Sequence, residues 1–177
     1  MSQTLVYDRS DAVLTTEFVA HLEAQLVAAR RLLQVVLEQG VAIRNRDVRG
    51  VVQLTGMLQA ELKRREQLKH ERVALLARAG VRFGVSGGSV TLSLLETLMD
   101  PESAQIAGAR SAELRGLLEV VRREHHVNRA LMGQELAFLD HLLKLAGIGD
   151  ETYNAGGDRL ATTAAQVTGR RVLDLEV

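Results

Sequence analysis

The sequence predicts an all-α protein: an elongated antiparallel helical hairpin or bundle of three long helices plus one short helix, with a flexible C-terminal tail. Three observations carry this expectation. The chain of 177 residues is rich in Leu, Ala, Glu and Arg but holds a single proline, the composition of long helices. Its leucines recur at three- and four-residue spacing, which lays one apolar stripe along a helix. Tyr7, Phe18, Phe83, Phe138 and Tyr153 are its five aromatic residues, so the core must be aliphatic.

The first helix spans about Thr16 to Gln39 in this reading, with Phe18, Leu22, Leu26, Leu33 and Leu37 as its stripe. Gly40 breaks the pattern. Asp47 then suits an N-cap, because its carboxylate can accept from the free amides of a new first turn. A second stripe follows at Val51, Leu54, Leu58, Leu62, Leu68, Leu75 and Leu76, and Gly80 ends it with Arg78 in the last turn. Gly50 and Gly56 interrupt this helix at about 1 kcal/mol each against alanine, and admit close helix approach. One unbroken helix over residues 16–79 competes with a hairpin turning at Gly40–Arg46. The hairpin is the favoured reading.

VRFGVSGGS reads as a flexible loop and TLSLLETLM as a short helix. Asp100-Pro101-Glu102 is the best start signal in the chain: a capping carboxylate, proline in the first helical position and an acid in the first turn. The last long helix is expected to reach about Ala146, where Gly147 stops it. Its stripe is Leu114, Leu117, Leu118, Val121, Asn128, Leu131, Leu136, Leu139, Leu142 and Leu143. From Ile148 the long-period pattern is lost. The domain reading is therefore a helical bundle over residues 1–148 and a flexible, client-binding tail over 149–177.

Composition narrows function. The chain has no cysteine, so it forms no disulfide and carries out no thiolate chemistry, as suits a reducing cytoplasm. MSQTLVYDRSD lacks the basic-then-apolar order of a signal peptide. No apolar run reaches the roughly 20 residues that span a bilayer, so no stable membrane insertion is expected. Formal net charge is zero. The segment from Arg44 to Arg82 is nevertheless basic, with ten Lys/Arg against Asp47, Glu61, Glu66 and Glu71. Neighbouring glutamates and missing aromatics make Lys63-Arg64-Arg65, Lys69 and Arg72 a solvated helix face rather than a nucleic-acid site.

No catalytic or metal constellation is legible. A di-metal bundle needs Glu-x-x-His pairs, and no glutamate here has His three residues on. His125 and His126 are adjacent, as are Asp140 and His141, so each pair points to different helix faces. GVSGGS lacks the Gly-Lys-Ser/Thr ending of a phosphate loop. The expectation is a non-enzymatic protein without cofactor or metal, whose apolar stripes bind other helices.

Two stretches then point to a family. Asn128-Arg-Ala-Leu131-Met-Gly-Gln-Glu-Leu136, followed after a gap by Thr152-Tyr153-Asn154-Ala155-Gly156-Gly157, resembles the FlgN family of flagellar export chaperones. The end, Gly169-Arg170-Arg171-Val172-Leu173-Asp174-Leu175-Glu176-Val177, is similar to that family's basic-then-alternating-apolar terminus. The leucine hairpin with Ile43-Arg44-Asn45-Arg46-Asp47 and Glu71-Arg72-Val73-Ala74-Leu75-Leu76 fits as well. Asn154 stands where glycine is commoner, and an aromatic near the start of the last helix is replaced by Ala130 and Met132.

The resemblance implies a cytoplasmic chaperone for the hook–filament junction proteins FlgK and FlgL. It would keep their terminal helices from assembling early and hand them to the type III export gate, with FlhA as gate partner. By carry-over the client surface comprises Asn128, Leu131, Leu136, Leu139, Leu143, Val172, Leu173 and Leu175, and Tyr153 is the candidate contact with FlhA. The alternative is a structural coiled-coil protein, a homo-oligomer built through the same stripes without a client.

Overall fold

The computed structural model describes residues 9–145, 151–153 and 159–161. Its elements are α1 (Arg9–Arg44), α2 (Val48–Phe83), a 3-10 turn (Gly87–Ser89), α3 (Leu92–Glu96), α4 (Pro101–Leu145), β1 (Glu151–Tyr153) and β2 (Arg159–Ala161). Three long helices and one short one are thus present, as the stripes require. The chain divides into two compact units, Met1–Met132 and Gly133–Val177.

In the first unit α1 and α2 form an antiparallel hairpin, so the single-helix alternative fails. The turn is tighter and later than expected, at Asn45-Arg46-Asp47. Gly40 does not end α1, because its backbone stays helical and its missing side chain serves a close approach described below. Asp47 does cap α2: its Oδ1 accepts from the Gly50 amide at 2.9 Å. Gly80 likewise stays inside α2. A Cβ there would lie 2.6 Å from the Val85 carbonyl, so its role is to let the following loop fold back. The stop comes at Gly84, whose φ of 68° is left-handed and whose amide returns to Gly80 and Val81 carbonyls, the usual glycine termination. α4 starts where Asp100 predicts, and α3 is shorter than the TLSLLETLM reading, Leu92–Glu96 with Thr91 as its N-cap. Thr91 Oγ1 accepts from the Leu94 amide, and Asp100 Oδ1 accepts from the Ser103 amide.

Burial follows two aliphatic clusters. One gathers Phe18 and Leu22 of α1, Ala79 of α2, Val90, Leu95 of α3, Met99, and Ala107 of α4. The other joins Leu32, Val35 and Val36 of α1 with Leu58 of α2 and Val121 of α4. Burying such side chains supplies roughly 1.5–3 kcal/mol each. The stripe on α1 shifts after Leu26. Leu33 is half-buried and Leu37 exposed, whereas Ala29, Leu32, Val35 and Val36 turn inward. Ion pairs tie the helices at their rims. Arg82 grips Asp11 with two hydrogen bonds of 2.7 and 2.9 Å, Arg78 meets Glu17, and Arg30 meets Glu113.

In the second unit, β1 and β2 pair antiparallel, with Tyr153 opposite Arg159 and Glu151 opposite Ala161. This ribbon was not foreseen, since three-residue strands leave no periodic signal. The intervening NAGGD does hold turn-forming residue types.

Candidate functional site

The site is built along α4. Reading every third or fourth residue from Leu114 gives Leu118, Val121, His125, Asn128, Met132, Glu135, Leu139 and Leu142, the alternating spacing of a packing seam. Burial along it peaks and then fades. Val121 and Asn128 are buried, His125, Met132 and Glu135 half-buried, and Leu139 and Leu142 exposed. Around the last two stand Leu136 at 67 % exposure, Phe138, Leu143 at 48 % and Leu145. Scattered apolar residues on a surface need no explanation, but these six lie on consecutive turns of one helix.

The seam is anchored by Asn128, which is only 2 % exposed. Its amide Nδ2 donates to the Val36 carbonyl of α1 at 2.7 Å. That carbonyl is reachable because Gly40, one turn on, has no side chain: a Cβ there would lie 2.6 Å from Asn128 Oδ1. Beside it, the buried Gln39 donates from Nε2 to Thr55 Oγ1 at 3.2 Å, and Thr55 donates to the Val51 carbonyl at 2.8 Å. Gln39 Oε1 has no hydrogen-bond partner among the described residues. A polar layer of this kind within an aliphatic core favours one register of the helices.

Burial disfavours the charged form of two histidines. Burial pushes the His21 imidazole below its ordinary range, against the opposing pull of Glu71, whose carboxylate lies 3.6 Å from Nδ1. Burial also lowers His125, with Arg129 and His126 adding to the effect. Among the described residues there is no group of three or more His, Cys, Asp or Glu that could hold a metal. No helix among them is long and apolar enough to cross a membrane.

The structure sorts the residues singled out from sequence. Asn128 lies inside, committed to α1, and Leu131 is half-buried. Leu136, Leu139 and Leu143 are exposed on adjacent turns of α4. Tyr153 is described through its backbone, in β1. Val172, Leu173 and Leu175 lie outside the described residues. Sequence reasoning missed Gly40 as the partner of Asn128, and the Gln39–Thr55 hydrogen bond, since contacts between distant turns leave no local pattern. It also passed over Phe138, which its rarity in an aliphatic chain could have flagged.

A family profile described as FlgN protein matches residues 14–160, from the first turns of α1 through Leu160 of β2. The chain belongs to the FlgN family. No match is found among curated proteins or solved structures. FlgN membership implies a flagellar export chaperone, a role of binding rather than catalysis, and partners among the flagellar hook-associated proteins.

Proposed function

We propose that this chain is a cytoplasmic chaperone that holds FlgK or FlgL before export and passes them to the export gate. The observation that carries the reading is the run of exposed apolar side chains on α4: Leu136, Phe138, Leu139, Leu142, Leu143 and Leu145. A client helix with its own apolar face finds there the i, i+3, i+4, i+7 contacts of helix-in-groove recognition. Residues 149–177 are proposed to complete this surface, with Val172, Leu173 and Leu175 as apolar contacts and Tyr153 as the contact with FlhA. Asn128, bound to the Val36 carbonyl, is buried and is not proposed to touch the client.

The test is co-expression of the full chain with FlgK or FlgL, followed by affinity purification. Leu139→Ser/Leu143→Ser is expected to retain its helicity and lose the client. Removing the residues after Ile148 should act likewise. The same apolar run would also suit a second copy of this chain. Sedimentation separates the readings: a concentration-dependent oligomer that a client does not dissolve supports self-association instead.

A further inference from the structure

The turn between α1 and α2 breaks several local rules at once. Arg46 has a φ of 56°, a left-handed backbone that glycine or asparagine adopts at lower cost. Arg49 sits in the first turn of α2, which has no acidic residue, and so places a cation on the positive end of the helix dipole. Val48 and Val52 are 74 % and 68 % exposed, although β-branched side chains are poor choices on a solvated helix. Val41 is exposed on the last turns of α1 beside Arg44. Gly50 has an internal reason, since a Cβ there would lie 2.3 Å from Asp47 Oδ2. Among the described residues Val48, Val52, Arg44 and Arg49 have no such internal reason. Local choices that cost stability without an internal return mark functional surfaces.

We propose that this turn is a docking surface that takes an acidic, leucine-bearing segment of a protein partner. Charge complementarity selects that occupant. Residues 41–52 hold Arg44, Arg46 and Arg49 against Asp47 alone, and the Asp47 carboxylate is committed to its cap. Arg46 has an interaction within the fold, so the argument stands on Arg44 and Arg49, which are exposed and make no ion pair among the described residues. Guanidinium groups bind carboxylates in two-pronged fashion, and exposed Val48 and Val52 in the same turn of chain supply apolar contact. No aromatic residue lies in the turn, so bases have nothing to stack on. Three arginines fall short of the four to eight basic residues that typify anionic-lipid recognition.

The probe is a fluorescein-labelled peptide of alternating glutamate and leucine, titrated with the full chain and followed by anisotropy. Saturable binding that weakens as salt is raised is expected, and the same peptide with glutamine for glutamate should not bind. Arg49→Glu is expected to weaken binding at least fivefold while keeping or raising the melting temperature, because the acid suits the helix terminus. Val48→Ser/Val52→Ser should weaken it about threefold or more. Leu139→Ser/Leu143→Ser should leave it unchanged, which keeps this site distinct from the client surface. Unchanged affinity in Arg49→Glu overturns the proposal. So does binding to vesicles containing phosphatidylserine without any binding to the peptide.

Discussion

Replacing Gly40 by alanine should destabilise the protein when Asn128 is present and stabilise it when Asn128 is removed. Alanine gains about 1 kcal/mol over glycine in a helix interior. Against that, the new Cβ would come within 2.6 Å of Asn128 Oδ1, which forces the amide off the Val36 carbonyl. Losing that hydrogen bond and leaving a buried amide unpaired costs about 2–3 kcal/mol together. The net loss is therefore about 1–2 kcal/mol, or a fall of several degrees in melting temperature for a chain of this size. In the Asn128→Ala background the clash is gone, so Gly40→Ala should return about 1 kcal/mol. The coupling between the two positions is then about 2–3 kcal/mol, well beyond what distant sites show. Urea titrations of the four proteins, followed by far-ultraviolet circular dichroism, measure it. Equal effects of Gly40→Ala in both backgrounds would refute the packing described around Asn128.

Further expectations follow from the same geometry. Gly80→Ala should lower stability markedly, because its Cβ would meet the Val85 carbonyl and the Gly87 backbone; Gly56→Ala, with open space around it, should raise the urea midpoint by about 1 kcal/mol equivalent. Gln39→Met, which removes the unpartnered Oε1 from the core, should be neutral or stabilising in the same assay. His21 and His125 have folded pKa values below their unfolded ones. The unfolded chain therefore takes up their protons first, and stability should fall as pH drops below about 6.5. Asp11, held low by the Arg82 hydrogen bonds, and Glu113, held low by Arg30, add their losses further down, through the carboxylate range. His21→Gln should flatten the first part of that slope in denaturation curves between pH 7 and 5; a slope unchanged from the parent would contradict a His21 pKa lowered by burial.

Much of the fold was legible because helix caps and stripes are local. Asp47 and Asp100 cap where their residue types suggest, and Leu58, Leu68 and Val121 are buried as their spacing implies. Glycine misled where it served tertiary contact. Gly40 and Gly80 look like stops in one dimension, yet one admits Asn128 and the other admits a loop backbone. The stripe on α1 rotated after Leu26 because Leu33 and Leu37 fit the spacing as well as Leu32 and Val36 do, and only the positions of α2 and α4 decide between them. For the candidate site, sequence alone grouped Leu131, Leu136, Leu139 and Leu143 as one face, of which Leu131 is half-buried and the other three exposed. It could not separate an exposed face from a buried one, since both carry the same period. The Asn128 layer was invisible as a layer: its members Val36, Gly40 and Asn128 are joined by a contact between helices far apart in the chain.

The central claim is that the apolar run on the last turns of α4 holds the client. Isothermal titration of purified FlgK and FlgL with the parent chain and with Leu139→Ser/Leu143→Ser tests it most directly. The account expects saturable binding by the parent and at least a tenfold loss in the variant, whose circular dichroism and melting behaviour stay those of the parent. Equal affinity of parent and variant for both junction proteins would contradict it.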